Sequence, residues 1–165
     1  MMTRCNFLSV AAALGAGALL GGCSGEGNGA GSTAGAPVSA PVEEDAMADG
    51  RAITVACGDA TVTYQLNDSA AASALLAQLP LTLEVDDFSD NEKIFYPPEG
   101  LDVAGAPLAE SGEAGTLAYY EPWGDVVMFY GPFSPNGALY ELGRAVVGEG
   151  VVSGLSGTIE VVLVE

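Results

Sequence analysis

The sequence contains no histidine, and only 4 of its 165 residues are lysine or arginine, against 22 aspartates and glutamates. The first absence removes the usual general base near neutral pH and the commonest transition-metal ligand, which argues against triad hydrolysis and zinc catalysis. The second excludes nucleic acid as a partner. A formal charge of −18 repels phosphate, and Arg4, Arg51, Lys93 and Arg144 are too few to build the basic stripe that counterion release requires. Cysteine is scarce, at 3 residues. The apolar run at residues 7–20 is broken by Gly15 and Gly17, and it falls short of the roughly 20 residues needed to cross a bilayer core.

That run follows Arg4 and leads into Leu20, Gly21, Gly22 and Cys23. A short positive region, a short apolar core and small residues at its end define a secretory signal. The ending Leu20, Gly21, Gly22, Cys23 resembles the lipobox of bacterial lipoproteins, which implies that residues 1–22 are removed and that Cys23 is acylated. The alternative is an ordinary secretory signal with a cysteine beside the cut. Three acyl chains at roughly 0.8 kcal/mol per buried methylene would hold the chain stably on the outer side of a bacterial cell membrane. Residues 23–50 are rich in Gly, Ala, Ser and Pro and carry Glu43, Glu44, Asp45 and Asp49 without a base. Such a composition cannot bury enough apolar surface to offset chain entropy. It reads as a tether whose ends lie about 25–30 Å apart on average.

The remaining domain, residues 51–165, holds one cysteine, Cys57, so no disulfide closes within it. Ile53, Val55 and Cys57 alternate along one strand, which makes burial of the thiol as a small hydrophobe the plain reading and a reactive thiol the alternative. Gly58 and Asp59 turn the chain, and Val62, Tyr64 and Leu66 alternate again, completing a hairpin at period two. Asn67, Asp68 and Ser69 offer capping oxygens to a helix over residues 70–79, with Leu75, Leu76 and Leu79 on one face and Pro80 as its stop. Further strands are expected at 81–85, 93–96, 116–120, 126–130, 139–142, 145–147 and 158–164. Eight or nine strands with one helix favour an antiparallel barrel or sandwich. Residues 126–130 are apolar on both faces, and 159–164 nearly so, as suits strands covered on both sides.

Several segments resemble the cyclophilins. Asn67 through Leu83, a capped helix followed by Leu79, Pro80, Leu81, Thr82 and Leu83, is similar to their opening helix and its exit. The stretch from Gly115, Thr116 and Leu117 to Phe129 and Tyr130 resembles their paired central strands, and Leu142 to Val152 their glycine-basic-valine strand and following helix. Asn91 to Pro97 and Tyr119 to Asp125 look like a bacterial branch of cyclophilin-like domains that often follow lipoprotein signals. The resemblance covers about residue 51 to the C-terminus. It implies a mostly β fold, a closed eight-stranded barrel with one or two short helices. Cyclophilins isomerise X-Pro bonds with an arginine that donates to the twisting amide. Their aromatic-His-Arg strand has no counterpart around Lys93 to Tyr96. The expectation is therefore a membrane-anchored binding module for a peptide, protein or small ligand, with a peptidyl-prolyl isomerase or isomerase-like folding factor as the alternative. No cofactor is called for.

Tyr119, Tyr120, Trp123, Phe129, Tyr130 and Phe133 bracket a loop with Pro122 and Gly124. Side chains alternate along strands, so some of these rings face inward. Tyr119, Tyr120, Trp123, Phe129, Tyr130 and Phe95 are expected to form a ligand-binding, stacking surface at a barrel mouth; core packing with a loop plug is the alternative. Trp123, being in the loop, is least well explained by packing. Asp86, Asp87, Asp90 and Glu92 offer hard oxygens that could hold Ca²⁺, but their spacing departs from an EF-hand loop, and an acidic solvated turn is the plainer reading.

Overall fold

A computed structural model describes residues 50–164. The expected signal at 1–22, the expected acylation site Cys23 and nearly all of the expected tether lie outside the described residues. Eight strands form the domain: β1 Ala52–Cys57, β2 Ala60–Leu66, β3 Leu81–Asp87, β4 Glu92–Phe95, β5 Thr116–Tyr120, β6 Asp125–Phe129, β7 Leu139–Val147 and β8 Gly157–Leu163. They close into an antiparallel barrel in the order β1-β2-β7-β5-β6-β4-β3-β8. Helix α1, Ala70–Leu76, follows β2, and a 3₁₀ helix, Glu149–Gly154, precedes β8. Closure pairs every strand on both sides, which removes the open edges that an acidic sheet of this size would otherwise leave to solvent.

The period-two pattern accounts for the interior. Ile53, Val55, Val62, Tyr64, Phe95, Leu117, Tyr119, Val126, Met128, Leu142, Ile159 and Val161 form one buried cluster, to which α1 adds Ala71, Ala72 and Leu75. Ser69 caps α1 by accepting a hydrogen bond from the Ala72 amide at 3.1 Å, and Asn67 Oδ1 accepts from Ser69 N at 3.0 Å. The helix ends at Leu76, three residues before its expected end. Gln78 and Leu79 continue with tighter bonds to the Leu75 and Leu76 carbonyls, as the chain prepares to enter β3 at Pro80. Leu76 and Leu79 still pack partly buried against the core. Cys57 is buried, and its thiol donates to the Ser156 carbonyl at 3.3 Å.

Two sequence expectations are corrected. The segments 139–142 and 145–147 form one strand, because Gly143 bridges them without a break. A Cβ there would collide with the Gln65 carbonyl, so only glycine lets β7 run this close to β2. The strand instead absorbs the irregularity as a shift in register against β5 between Leu117 and Ala118. β8 is also less covered than its composition implies. Ile159 and Val161 point inward, but Val162 and Leu163 are exposed.

Candidate functional site

The outward faces of β4, β5, β6 and β7 carry a second apolar layer. Ile94, Ala118, Val127, Phe129 and Leu139 are buried there with Ala109, under Tyr120 and Phe133. Register explains the patch: Val127 pairs with Ile94 on one side and with Ala118 on the other, while Tyr120 pairs with Leu139. The rigid strands supply a floor. Connecting segments build walls on it and leave a pocket of about 280 Å³ lined by Ile94, Val127, Phe129 and Leu139 below and by Phe88, Tyr120, Trp123 and Phe133 around the rim.

Each wall is held by its own backbone chemistry. In the β5–β6 turn, the Tyr120 carbonyl accepts from both Trp123 N at 3.3 Å and Gly124 N at 2.9 Å, and Gly124 sits in the left-handed region at φ 72°. That turn lifts Trp123 over the pocket, where it is 53% exposed. Its ring stands edge-on to Phe88 at 4.9 Å and to Tyr120 at 5.4 Å. On the opposite rim, Asn91 Nδ2 donates to the Pro132 carbonyl at 2.8 Å and Phe133 N to the Gly112 carbonyl at 3.0 Å. These bonds fix the Phe133 ring, which stacks on Phe129 at 3.8 Å.

Two carboxylates enter this apolar setting. Asp125 opens β6 and alternates with Val127 and Phe129, so its side chain lies on the pocket face. It is 2% exposed, and its Oδ1 has no hydrogen-bond partner. Glu92 opens β4 opposite Phe129, at the other end of the floor. Burial raises the Asp125 carboxyl above the ordinary range, against a smaller lowering by a hydrogen bond from its own backbone. Burial likewise raises Glu92, and the charge of Asp125 adds to the effect. Among the described residues, no lysine or arginine lines the pocket. Lys93 points to the other face of β4, where its Nζ lies 2.5 Å from Asp87; Arg144 pairs with Glu113 at 3.1 Å.

The aromatic residues singled out in the sequence therefore separate. Tyr120, Trp123 and Phe129 meet in the pocket, as does Phe133. Phe95 and Tyr119, 0% and 3% exposed, point into the barrel because strand alternation assigns them to the interior face. Tyr119 is engaged there: its hydroxyl accepts from Leu101 N at 3.2 Å. Tyr130 lies beyond the end of β6 and packs against the interior cluster, with its hydroxyl donating to the Ser89 carbonyl. The pocket is thus on the outer wall of the barrel and not at its mouth. Asp86, Asp87, Asp90 and Glu92 do not converge; among the described residues no three groups of metal-ligating type stand close enough to share an ion. Asp125 and Phe88 were missed by sequence reasoning. The signal was present for Asp125, a charge in step with the outward apolar positions of its strand.

A closed eight-stranded antiparallel barrel with two short helices is the architecture of a cyclophilin-like domain. Residues 55–164 match the profile of the Cyclophilin-like family, and the chain belongs to that family. No curated protein sequence matches it significantly. Among solved structures it is similar to the solution structure of the hypothetical protein AF2241 from Archaeoglobus fulgidus. The TM-score is 0.56 at 18% identity, over 68% of this chain and 94% of that one. At that identity the likeness is one of fold.

Proposed function

We propose that this protein is a lipid-anchored, extracytoplasmic binding module whose ligand, a small molecule or the side chain of a peptide or protein, sits under Trp123. The observation that carries this reading is a pocket with an apolar floor, four rings around it and a few polar groups at its ends. That is the general make-up of a ligand site, with a volume just below the usual range of about 300–1,000 Å³. Placement outside the cell rests on the signal and lipobox of the sequence, and the acidic tether and domain keep the module clear of an anionic membrane surface.

Isomerisation of proline is the lesser reading. It calls for a donor aimed at the twisting amide, and neither Arg51 nor Arg144 lines the pocket. A proline tetrapeptide assay separates the two. We expect no rate enhancement; an enhancement that disappears in Trp123→Ala or Arg144→Ala would replace binding with catalysis. The anchor is tested by metabolic labelling with palmitate, which we expect to mark the chain and to be abolished by Cys23→Ala. For the pocket, a thermal-shift screen of small molecules should yield ligands whose effect is lost in Trp123→Ala. Ligands that act equally on the variant would place binding elsewhere.

A further inference from the structure

We propose that the pocket under Trp123 recognises an organic ammonium cation, its charge set against Asp125 and Glu92 and its alkyl part lying on the aromatic rim. This deepens the binding reading and rests on it.

Asp125 lines the pocket, is almost fully buried, and its Oδ1 is left without a partner. A buried carboxylate is tolerated where a partner arrives to satisfy it, and leaving such an acceptor unmet is costly. Among the described residues none provides a partner there. The base on the neighbouring strand β4, Lys93, is turned to the opposite face and held by Asp87. Glu92 adds a second carboxylate to the same pocket, two outward positions along the floor, with Ile94 and Val127 between. The missing component is therefore positive.

The surroundings specify which kind of cation. A metal ion of the hard class takes six to eight oxygens, yet the space between the two acids is hydrocarbon and aromatic, and among the described residues no third ligating group joins them. A cation with apolar substituents fits all three features. Its alkyl groups cover Ile94 and Val127, and its charge meets ring faces as well as carboxylates, as in aromatic cages for methylated ammonium groups. A formal charge of −18 on the whole chain further raises the local concentration of cations at the domain surface.

The test uses the full chain, whose single tryptophan is Trp123. Its fluorescence is titrated with choline and with butylammonium, each against a neutral isostere (3,3-dimethylbutanol, butanol), and with butyrate as the anion. We expect saturable changes with both cations, at least tenfold tighter than with their isosteres and absent with butyrate. Asp125→Asn should weaken cation binding tenfold or more and Glu92→Gln by a smaller factor, with circular dichroism unchanged. Glu92→Gln also serves should the buried substitution disturb folding. If the neutral isosteres bind as well as the cations, or if both variants retain full affinity, the cation assignment fails while the pocket stands. If no cation produces a saturable change it fails as well, and the small-molecule screen then judges the pocket independently.

Discussion

Phe88 and Trp123 meet edge to face across the top of the pocket, with ring centroids 4.9 Å apart and planes at 75°. One ring comes from the turn after β3 and the other from the turn after β5, on strands that are not neighbours in the barrel. Each is about half exposed, at 52% and 53%. Two large rings in that condition give up apolar burial, and what they retain is each other and an opening between them and the floor.

The pair should be weak enough to open. Edge-to-face contacts are worth about 0.5–1.5 kcal/mol beyond area burial. We expect Phe88→Ala to cost no more than that in urea unfolding and to raise the acrylamide quenching constant of Trp123. An unchanged constant would mean that the two rings do not shield each other in solution.

Asp125→Asn should stabilise the unliganded protein. The substitution keeps an oxygen at the same place but removes the charge, and it is an unpaired charge that burial penalises most. In a domain of this size each kcal/mol moves Tm by roughly 4–8 °C, so calorimetry should show a rise of several degrees. A fall would show that the carboxylate is satisfied in the free protein.

Stability should also depend on pH through this pair. Burial raises both Asp125 and Glu92 in the folded state, so the native protein holds protons at pH values where the unfolded chain has released them. More protons bound to N than to U means that the free energy of unfolding falls as pH rises through the window above the ordinary carboxylate range. The contribution is fully present below the unfolded values and lost above the raised ones. Urea midpoints measured from about pH 4 to 7 should decline more steeply in the wild type than in the Asp125→Asn, Glu92→Gln double variant. Parallel curves would dismiss the shifts.

Tyr64 offers an internal control inside the barrel. Its hydroxyl is buried without a partner, and burial, with a smaller contribution from Glu149, pushes its ionisation far above the ordinary phenol range. Removing an unmet buried polar atom without changing shape relieves its desolvation, on the order of 1–3 kcal/mol. Tyr64→Phe should therefore be neutral to stabilising, whereas Leu142→Ala, which empties a fully buried site in the same core cluster, should cost about 2–5 kcal/mol. A large loss in Tyr64→Phe would reveal a partner for the hydroxyl.

The hairpin of β1 and β2 and the cap at Ser69 were legible in the sequence, because each depends on local alternation or on a few adjacent residues; alternation alone left barrel and sandwich open, and the closed barrel followed from the resemblance to cyclophilins. The interruption at residues 143–144 was misread as a break between strands. Glycine marks both a turn and a close approach, and the carbonyl of Gln65 that decides between them belongs to a strand far away in sequence. The aromatic group was read correctly as two populations, but which ring belongs to which could not be fixed. Phe95 and Ile94 differ by one position, and that one position sends the first into the barrel and the second to the pocket floor.

What the sequence by itself determined is a mostly β domain and the chemistry available to it: alternating apolar residues demand one covered face on each strand, and the missing histidine and basic residues narrow what any site can do. Tertiary structure alone decided where that chemistry gathers. Phe88, Glu92, Trp123, Asp125 and Phe133 come from three separate connections and two strand starts, and they meet because barrel closure fixes β4 against β6 and β6 against β5 in a single register. No local pattern encodes that meeting, since it follows from which strands pair and from which face each residue then turns outward.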